Sequence, residues 1–273
     1  MADIHVRGVC YHLDDRGEGR PLVLLHGLTG RAATWRDHFG PLSRHFRVIA
    51  VDQLGHGQTV IPADPARYHM EEAAADLIAV LQHIGALPAA LFGYSMGGRL
   101  ALYTALTYPH AFNALILESA SPGMRDATAR AERLTKDEKL ADSIMELGVQ
   151  AFVDSWEKLP MFASQSAMSV DRYALQREIR LANDPLGLAN SLRGMSVGAQ
   201  PSLWDRLGEL QIPVLLVTGT EDAKFNAIAD EMMTLLPHAQ RRNIPHASHT
   251  VHIEQPVQFD EAVTDFLLQL VTP

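Results

Sequence analysis

The stretch LFGYSMGGRLAL, residues 91–102, joins an apolar run to a helix-like run through a serine set between two glycines. Its centre, Gly93 to Gly97, has the G-x-S-x-G form of a nucleophile elbow, a tight turn between a strand and a helix. Side chains at the glycine positions would clash as the backbone reverses, and the turn holds the serine hydroxyl outward in strained geometry. The pattern alone is weak, and an ordinary strand–helix turn is the alternative. Its position between a predicted strand and a predicted helix favours the elbow.

Short apolar, β-branched runs alternate with helical patterns around this turn, as they do in parallel sheets whose strands are connected by helices. The near-continuous apolarity of the runs suits strands that are covered on both faces. A helical stripe lies over residues 71–85, and another closes the chain over residues 259–270. The sequence therefore predicts an α/β fold, a mostly parallel central sheet with helices on both faces. The predicted strands are residues 23–26, 47–52, 89–94, 114–119 and 213–219.

The alternation stops between residues 121 and 200, where helix signals dominate and no buried strand is evident. Thr135 to Glu138 has the form of a capping box, and the helical pattern after it ends at Gly148. We predict that residues 1–120 and 201–273 form the sheet core and that residues 121–200 form a helical lid. Open α/β sheets bind ligands at the carboxyl ends of their strands, so we expect the lid over that edge.

A serine nucleophile needs a base, and the base needs an acid that orients it. With such an elbow, the order along the chain is serine, then acid, then histidine. Asp222 follows the predicted strand 213–219 and is the preferred acid, with Glu118 and Glu221 as rivals. The histidine loop, residues 243–256, holds three candidates for the base, and spacing alone does not choose among them: His246, His249 and His252.

The same chemistry needs an oxyanion hole, which is a pair of backbone N–H groups aimed at developing negative charge. We expect one N–H from Met96, at the positive end of the helix after the elbow. The other is expected from Leu28, in the segment HGLTG of residues 26–30. His26 and His56 lie in glycine-bounded loops, and we expect structural hydrogen-bonding roles for both.

The composition narrows the possible partners. The chain has 273 residues, is 47% hydrophobic and carries a formal net charge of −9, which argues against nucleic acid or an anionic membrane as a partner. No stretch reaches the roughly 18 apolar residues of a spanning helix, and the first residues lack the apolar core of a signal peptide. The single cysteine, Cys10, cannot form an internal disulfide. We therefore expect a cytoplasmic protein.

The segments HGLTG, LGHGQT, GYSMGG, TGTEDAKF and PHASHTVHIEQP occur in this order, and with them the whole chain resembles the α/β-hydrolase superfamily. Segments at residues 121–123, 156–165 and 190–204 are similar to the lid of one branch, the 2-succinyl-6-hydroxy-2,4-cyclohexadiene-1-carboxylate synthases (MenH). The resemblance implies an α/β-hydrolase fold with a helical lid and a Ser95, Asp222 and His249 triad. Ser248 stands where that family commonly has glycine. A loop glycine often supplies a positive φ, which predicts a slight shift of this loop.

These synthases are pyruvate-eliminating lyases of menaquinone biosynthesis, and the resemblance implies that reaction with no cofactor and no metal. The implied partner is a small-molecule tricarboxylate, 2-succinyl-5-enolpyruvyl-6-hydroxy-3-cyclohexene-1-carboxylate. Ser95, activated by His249 and Asp222, would remove a ring proton, and pyruvate would leave. Two alternatives remain: a serine esterase or carbon–carbon bond hydrolase of the same fold, and a non-enzymatic binding member of the superfamily. The sequence leaves the oligomeric state open.

Arg99 lies four residues after Ser95, on the same helix face and one turn further along. A guanidinium grips a carboxylate with paired, charge-assisted hydrogen bonds, which fits a tricarboxylate better than a neutral ester. The resemblance places Arg133 and Arg180 at two further carboxylate-binding positions. Two aromatic residues are candidates for the pocket wall, with core packing as the alternative for both: Tyr94 and Trp156.

Overall fold

A computed structural model of the protein describes residues 2–270, and in this part of the chain eight strands form one sheet in the order β1-β2-β4-β3-β5-β6-β7-β8. The first two pairings, β1 with β2 and β2 with β4, are antiparallel, and the other five are parallel. The strands are β1 (Ala2–Val6), β2 (Val9–Arg16), β3 (Pro21–Leu25), β4 (Arg47–Val51), β5 (Ala89–Tyr94), β6 (Phe112–Glu118), β7 (Val214–Gly219) and β8 (Ala239–Ile244).

The five predicted strands are confirmed as β3 to β7, the central part of the sheet. Each is buried along almost its whole length, as in β5, where all six residues are buried. Strands β1, β2 and β8 are not among these five. They lie at the two edges of the sheet, and β1 and β8 alternate between covered and exposed residues, so neither forms a continuous apolar run.

Helices cover both faces of the sheet, as predicted. One apolar cluster packs Trp35, Phe39 and Phe259 against one face, and a second packs Leu77, Leu100 and other side chains against the opposite face. The helices are α1 (Arg36–Leu42), α2 (Met70–His83), α3 (Met96–Thr107), α4 (Ala127–Trp156), α5 (Val170–Leu181), α6 (Pro185–Met195), α7 (Ala223–Leu235), α8 (Val251–Glu254) and α9 (Pro256–Gln269). None of the helices within residues 2–270 has the length and apolar character needed to cross a membrane.

Helices α4, α5 and α6 lie in the chain between β6 and β7, within the segment predicted to form the lid. They enclose a small apolar cluster of their own, which includes Ile144, Phe152 and Leu188. The boundaries of the lid, residues 121 and 200, remain a prediction.

The predicted capping box at Thr135 is wrong. Helix α4 begins after Asp126, whose side chain accepts a hydrogen bond of 2.7 Å from the Ala129 amide. Thr135 lies inside the helix, and its hydroxyl donates to the carbonyl of Ala131. The predicted interruption at Gly148 is present, because that residue has φ = 81° and breaks the helical path. The first turns are mostly exposed and polar, and their weak periodicity conceals the true start of the helix.

Candidate active site

The elbow turns between β5 and α3 with Ser95 at its corner, at φ = 51° and ψ = −107°. This left-handed φ is uncommon for a residue with a side chain and stores strain at the turn. A Cβ atom on Gly97 would lie 2.5 Å from the carbonyl oxygen of His26, so only glycine fits there. The Ser95 amide donates to the carbonyl of Glu118 over 2.9 Å, which ties the turn to the end of β6. The sequence motif therefore adopts the elbow conformation.

Three side chains from separate loops meet at this corner. His249 Nδ1 lies 2.9 Å from Asp222 Oδ2, and His249 Nε2 lies 3.2 Å from the hydroxyl of Ser95. Asp222 follows β7, and its second oxygen accepts the Phe225 amide at the start of α7. Asp222 and His249 are both buried. The arrangement can pass a proton from the hydroxyl to the imidazole while the carboxylate holds the ring.

The other candidates for base and acid lie elsewhere. His246 and Glu221 are exposed. His252 is bound instead to Glu118, with its Nδ1 at 2.8 and 3.0 Å from the two carboxylate oxygens. Among the three histidines, His249 is the one whose ring nitrogen lies within hydrogen-bond distance of Ser95.

The predicted shift at Ser248 finds no support in the backbone. Ser248 does not have a positive φ; His246 does, at 57°. The histidine loop is held by Glu254, which accepts hydrogen bonds from the amides of Ser248 and Thr250 over 2.8 and 3.0 Å. The two amides flank His249, so this carboxylate fixes the backbone on both sides of the ring.

A cavity of about 200 Å³ lies beside the Ser95 hydroxyl. Asp222 is behind His249 and does not line it, while the other predicted site residues do. These are Leu28, Tyr94, Ser95, Met96, Arg99, Arg133, Trp156, Arg180 and His249. The sheet edge, the elbow and the helical segment above them therefore share one hollow.

The two residues expected to form the oxyanion hole, Leu28 and Met96, border this cavity together with Ser95. Met96 is the first residue of α3, so its amide has no partner inside the helix. The loop that carries Leu28 is braced by His26, whose Nε2 accepts the amide of Gln53 over 3.0 Å and whose carbonyl accepts the Gln53 side chain. His56 is also buried, and burial lowers its pKa to about 4. His26 thus makes the hydrogen bonds expected of a structural residue. His56 donates from Nδ1 to the carbonyl of Leu54 over 3.1 Å, while its buried Nε2 has no partner within the described residues.

The three arginines differ in how their charges are compensated. Arg99 donates from Nη1 to the carbonyl of Met195 and to Gln200 Oε1, at 2.6 and 2.7 Å, and both partners are neutral. Burial is the main cause that lowers the pKa of Arg99 to about 10; the nearby Arg133 charge contributes to the lowering, and the Asp137 charge opposes it. Arg99 thus stays charged at neutral pH, and within the described residues no carboxylate forms a salt bridge with it; we call such a cation uncompensated.

Arg133 and Arg180 already contact carboxylates. Arg133 donates from Nε to both oxygens of Asp137, at 2.8 and 2.9 Å, and within residues 2–270 its two terminal nitrogens make no hydrogen bond. Arg180 is 4% exposed and pairs with Glu157 over 2.9 Å, a carboxylate that also contacts Arg177. Its Nη2 donates to Gln165 over 2.9 Å.

The two predicted aromatic residues both line the cavity and come from different elements. Tyr94 is buried beside the elbow and packs against the His249 ring, with centroids 5.5 Å apart. Trp156, in the last turn of α4, packs against Phe152 and Phe162 at 5.3 and 5.8 Å. Both residues contact neighbours in the core as well as the cavity.

The sequence prediction missed several cavity residues, including Lys224, Phe225, Asp137 and Phe162. Lys224 and Phe225 lie two and three positions after Asp222 in the TGTEDAKF segment, so their position in the chain was a usable signal. Asp137 and Phe162 had none, because their approach to the cavity depends on how the helices pack. Within the described residues, no group of three or more His, Cys, Asp or Glu side chains could hold a metal ion.

The sheet order, the elbow and the covered cavity together define an α/β hydrolase, and the profile of the α/β hydrolase fold family matches residues 20–256. A Bacillus subtilis (strain 168) protein, provisionally named 2-succinyl-6-hydroxy-2,4-cyclohexadiene-1-carboxylate synthase, is 44% identical over 268 residues and 96% of each chain. The structure of MenH from S. aureus superposes with a TM-score of 0.91 at 33% identity, over 96% of this chain and 99% of that one. The chain therefore belongs to this synthase family.

A further similar structure is that of a thermophilic esterase from Thermogutta terrifontis, described as malate bound. It is 26% identical, with a TM-score of 0.87, and the alignment covers 100% of both chains. The same overall fold therefore occurs in a protein with a different named activity.

Proposed function

We propose that the protein is a lyase of menaquinone biosynthesis. It eliminates pyruvate from 2-succinyl-5-enolpyruvyl-6-hydroxy-3-cyclohexene-1-carboxylate and leaves 2-succinyl-6-hydroxy-2,4-cyclohexadiene-1-carboxylate. The observation that carries the proposal is the cavity itself, in which Arg99, Arg133 and Arg180 line the same hollow as Ser95 and His249. Three guanidiniums beside an activated hydroxyl suit a substrate with three carboxylates and one acidic ring proton.

In the proposed reaction, Ser95 and His249 act together as the base. The Ser95 oxygen takes the ring proton as its own proton passes to His249 Nε2, 3.2 Å away. Asp222, on Nδ1, stabilises the imidazolium that results. The electron pair of the broken C–H bond at ring carbon 2 forms the C2–C3 double bond, the pair of the existing C3–C4 double bond moves to C4–C5, and the C5–O bond breaks. The enolpyruvyl oxygen leaves with the C–O electron pair and becomes pyruvate after protonation. The amides of Leu28 and Met96 are proposed to stabilise negative charge that develops on the substrate.

The arginines are proposed to bind the three carboxylates. A hydrogen bond to a charged group contributes about 1.5–3 kcal/mol, so the loss of one guanidinium should lower kcat/KM about ten- to hundredfold. Because the chain as a whole carries a charge of −9, a local group of cations also draws the anion toward the cavity. We further propose that the enzyme acts in the cytoplasm on this small molecule and does not bind nucleic acid.

A serine esterase is the second candidate, favoured by the full-length similarity to the Thermogutta terrifontis esterase. The same triad would then attack a carbonyl and form an acyl-enzyme. A neutral ester makes no use of the uncompensated charge of Arg99, which is why we prefer the elimination.

The test is to incubate the purified protein with the enolpyruvyl substrate and to follow pyruvate with a coupled assay and the diene by its absorbance. A panel of p-nitrophenyl esters is assayed in parallel. Pyruvate and diene formation with weak ester turnover is the expected result. Strong ester turnover without pyruvate would overturn the proposal in favour of the esterase.

The arginines are tested one at a time in the same assay, as Arg99→Ala, Arg133→Ala and Arg180→Ala. The matched control is Arg193→Ala, because Arg193 lies on α6, pairs with the exposed Asp142 and does not line the cavity. The control should keep wild-type kcat/KM while the three variants lose it. Near-wild-type kcat/KM in all three variants would contradict the proposal that the arginines bind a tricarboxylate.

A further inference from the structure

Lys224 is a fourth cation in the wall of the cavity. It is the second residue of α7, two positions after Asp222. The residue is also solvent-exposed, which places it at the opening of the hollow. Its Nζ lies 5.1 Å from the centroid of the Phe225 ring, and that ring lies 4.7 Å from the ring of His249. Lys224 is therefore held close to the reacting groups by its packing on Phe225.

The cations of the cavity divide into compensated and uncompensated ones. Arg180 pairs with Glu157, and Arg133 pairs with Asp137. Among residues 2–270, neither Arg99 nor Lys224 forms a salt bridge with a carboxylate. A buried ion pair must be disrupted or shared before its cation can serve a ligand fully, so an uncompensated cation is the better partner for an incoming anion.

The charges at this end of the cavity act on one another. Burial of part of the side chain lowers the pKa of Lys224, the Arg133 charge lowers it further, and Asp222 opposes both effects. Arg133 also lowers the pKa of Arg99. Arg133 thus repels both neighbours, and a bound carboxylate would relieve this repulsion.

We propose that Lys224 is a further carboxylate-binding residue of this site. Its ammonium group binds one carboxylate of the substrate at the opening of the cavity, on the side that it shares with Arg133. This inference rests on the proposed function for the identity of the substrate. Together with Arg99, Lys224 gives the cavity two cations that form no salt bridge among residues 2–270, beside the paired Arg133 and Arg180.

Two other roles are open to a lysine in this position. It could be a surface side chain that packs on Phe225 without contacting a ligand, or it could act on the triad through Asp222. A useful experiment must separate both from carboxylate binding, so it needs one readout for the ligand and another for the triad.

The first experiment compares three variants by steady-state pyruvate release. Lys224→Met should raise KM about five- to thirtyfold with kcat within about threefold of wild type, because a charged hydrogen bond to the substrate is lost. Lys224→Arg should restore KM to within about threefold. Lys136→Met is the matched control, because it removes the same charge from an exposed residue of α4 that does not line the cavity. If K224M and K136M share one KM, the proposal is overturned.

The second experiment needs no substrate turnover. Tricarballylate, a simple tricarboxylate, is used to protect Ser95 from labelling by a fluorophosphonate. K224M should be labelled at the wild-type rate without tricarballylate, within about twofold, and should need at least about fivefold more of it for protection. A tenfold slower labelling of ligand-free K224M would mean that Lys224 acts through the triad, which overturns carboxylate binding.

The two experiments also distinguish this inference from the proposed function. A wild-type protein that releases no pyruvate, yet loses tricarballylate protection on Lys224→Met, would refute the elimination and leave the carboxylate site standing. If the wild-type protein releases pyruvate and Lys224→Met leaves KM unchanged, the elimination stands and the carboxylate-binding role of Lys224 is refuted.

Discussion

Two of the buried histidine–carboxylate pairs of this protein lie side by side and differ in what surrounds them. In each, the histidine Nδ1 contacts an acid: Asp222 at 2.9 Å for His249, and Glu118 at 2.8 Å for His252. The two pairs differ in the contacts of the second ring nitrogen of each histidine, Nε2. His249 Nε2 lies 3.2 Å from the Ser95 hydroxyl, whereas His252 Nε2 is enclosed and has no hydrogen-bond partner in the described part of the chain.

The surroundings of the second pair explain its role. The His252 ring packs against Trp35 and Tyr94, with centroids 4.6 and 4.7 Å apart, and the His252 amide also donates to Glu118. The pair thus connects α8 to the end of β6, below the loop that carries His249. An acid and a histidine in contact do not make a base for catalysis. The histidine must also present its second nitrogen to a group in a cavity that substrate can enter.

The largest expected effect is that of Ser95→Ala, which removes the group that the first pair serves. Turnover should fall at least about a thousandfold, because the hydroxyl is proposed to take the proton itself. Steady-state pyruvate release measures the loss, and circular dichroism checks that the fold is kept. Retention of more than a tenth of wild-type turnover would show that His249 acts without the hydroxyl.

Asp222→Asn should lower kcat about a hundred- to ten-thousandfold, since an amide leaves the imidazole without its orienting carboxylate. Asparagine is also a good helix N-cap, so α7 should persist. Glu221→Gln is the control, because it makes the same chemical change at the exposed neighbouring position. If both variants lose activity equally, the assignment of Asp222 to the triad is wrong.

Glu118→Gln tests the pair of His252 and Glu118. In contrast to Asp222→Asn, it should lower stability more than activity. Both partners are fully buried, and a hydrogen bond to a charged group is weakened, so the free energy of unfolding should fall by about 1.5–3 kcal/mol. The loss of kcat should stay below about tenfold. Urea unfolding and pyruvate release on the same preparation provide both numbers. A loss of activity as large as that of Asp222→Asn would abolish the distinction between the pairs.

The smallest effect is expected from Ser248→Gly, which introduces the glycine that the family resemblance predicts at this position. Since Ser248 does not have a positive φ, glycine relieves no strain and lowers the free energy of unfolding by up to about 1 kcal/mol through the unfolded chain. Its amide still donates to Glu254. We expect kcat within about twofold of wild type, and a tenfold change in either direction would mean that this loop is strained by the serine.

The parts of the fold that were predictable are those in which one local pattern dominates. Strands β3 to β7 are buried on both faces and read as apolar runs, while β1 and β8 alternate at the edges of the sheet. The start of α4 was missed because its N-cap, Asp126, precedes a polar, exposed turn with little periodicity. The break in α4 was predictable because a glycine, Gly148, interrupts the helical pattern of the sequence.

The local residue pattern was sufficient for the elbow, since its glycines are needed wherever the backbone reverses so closely, and for the order of serine, acid and histidine along the chain. Three-dimensional packing was needed to establish which histidine nitrogen meets Ser95, which carboxylate pairs with each arginine, and that Lys224 borders the cavity. Those outcomes depend on distances through space between residues as far apart as Ser95 and His249, 154 positions along the chain. Local residue patterns cannot encode such distances, because packing of the whole sheet and its covering helices sets them.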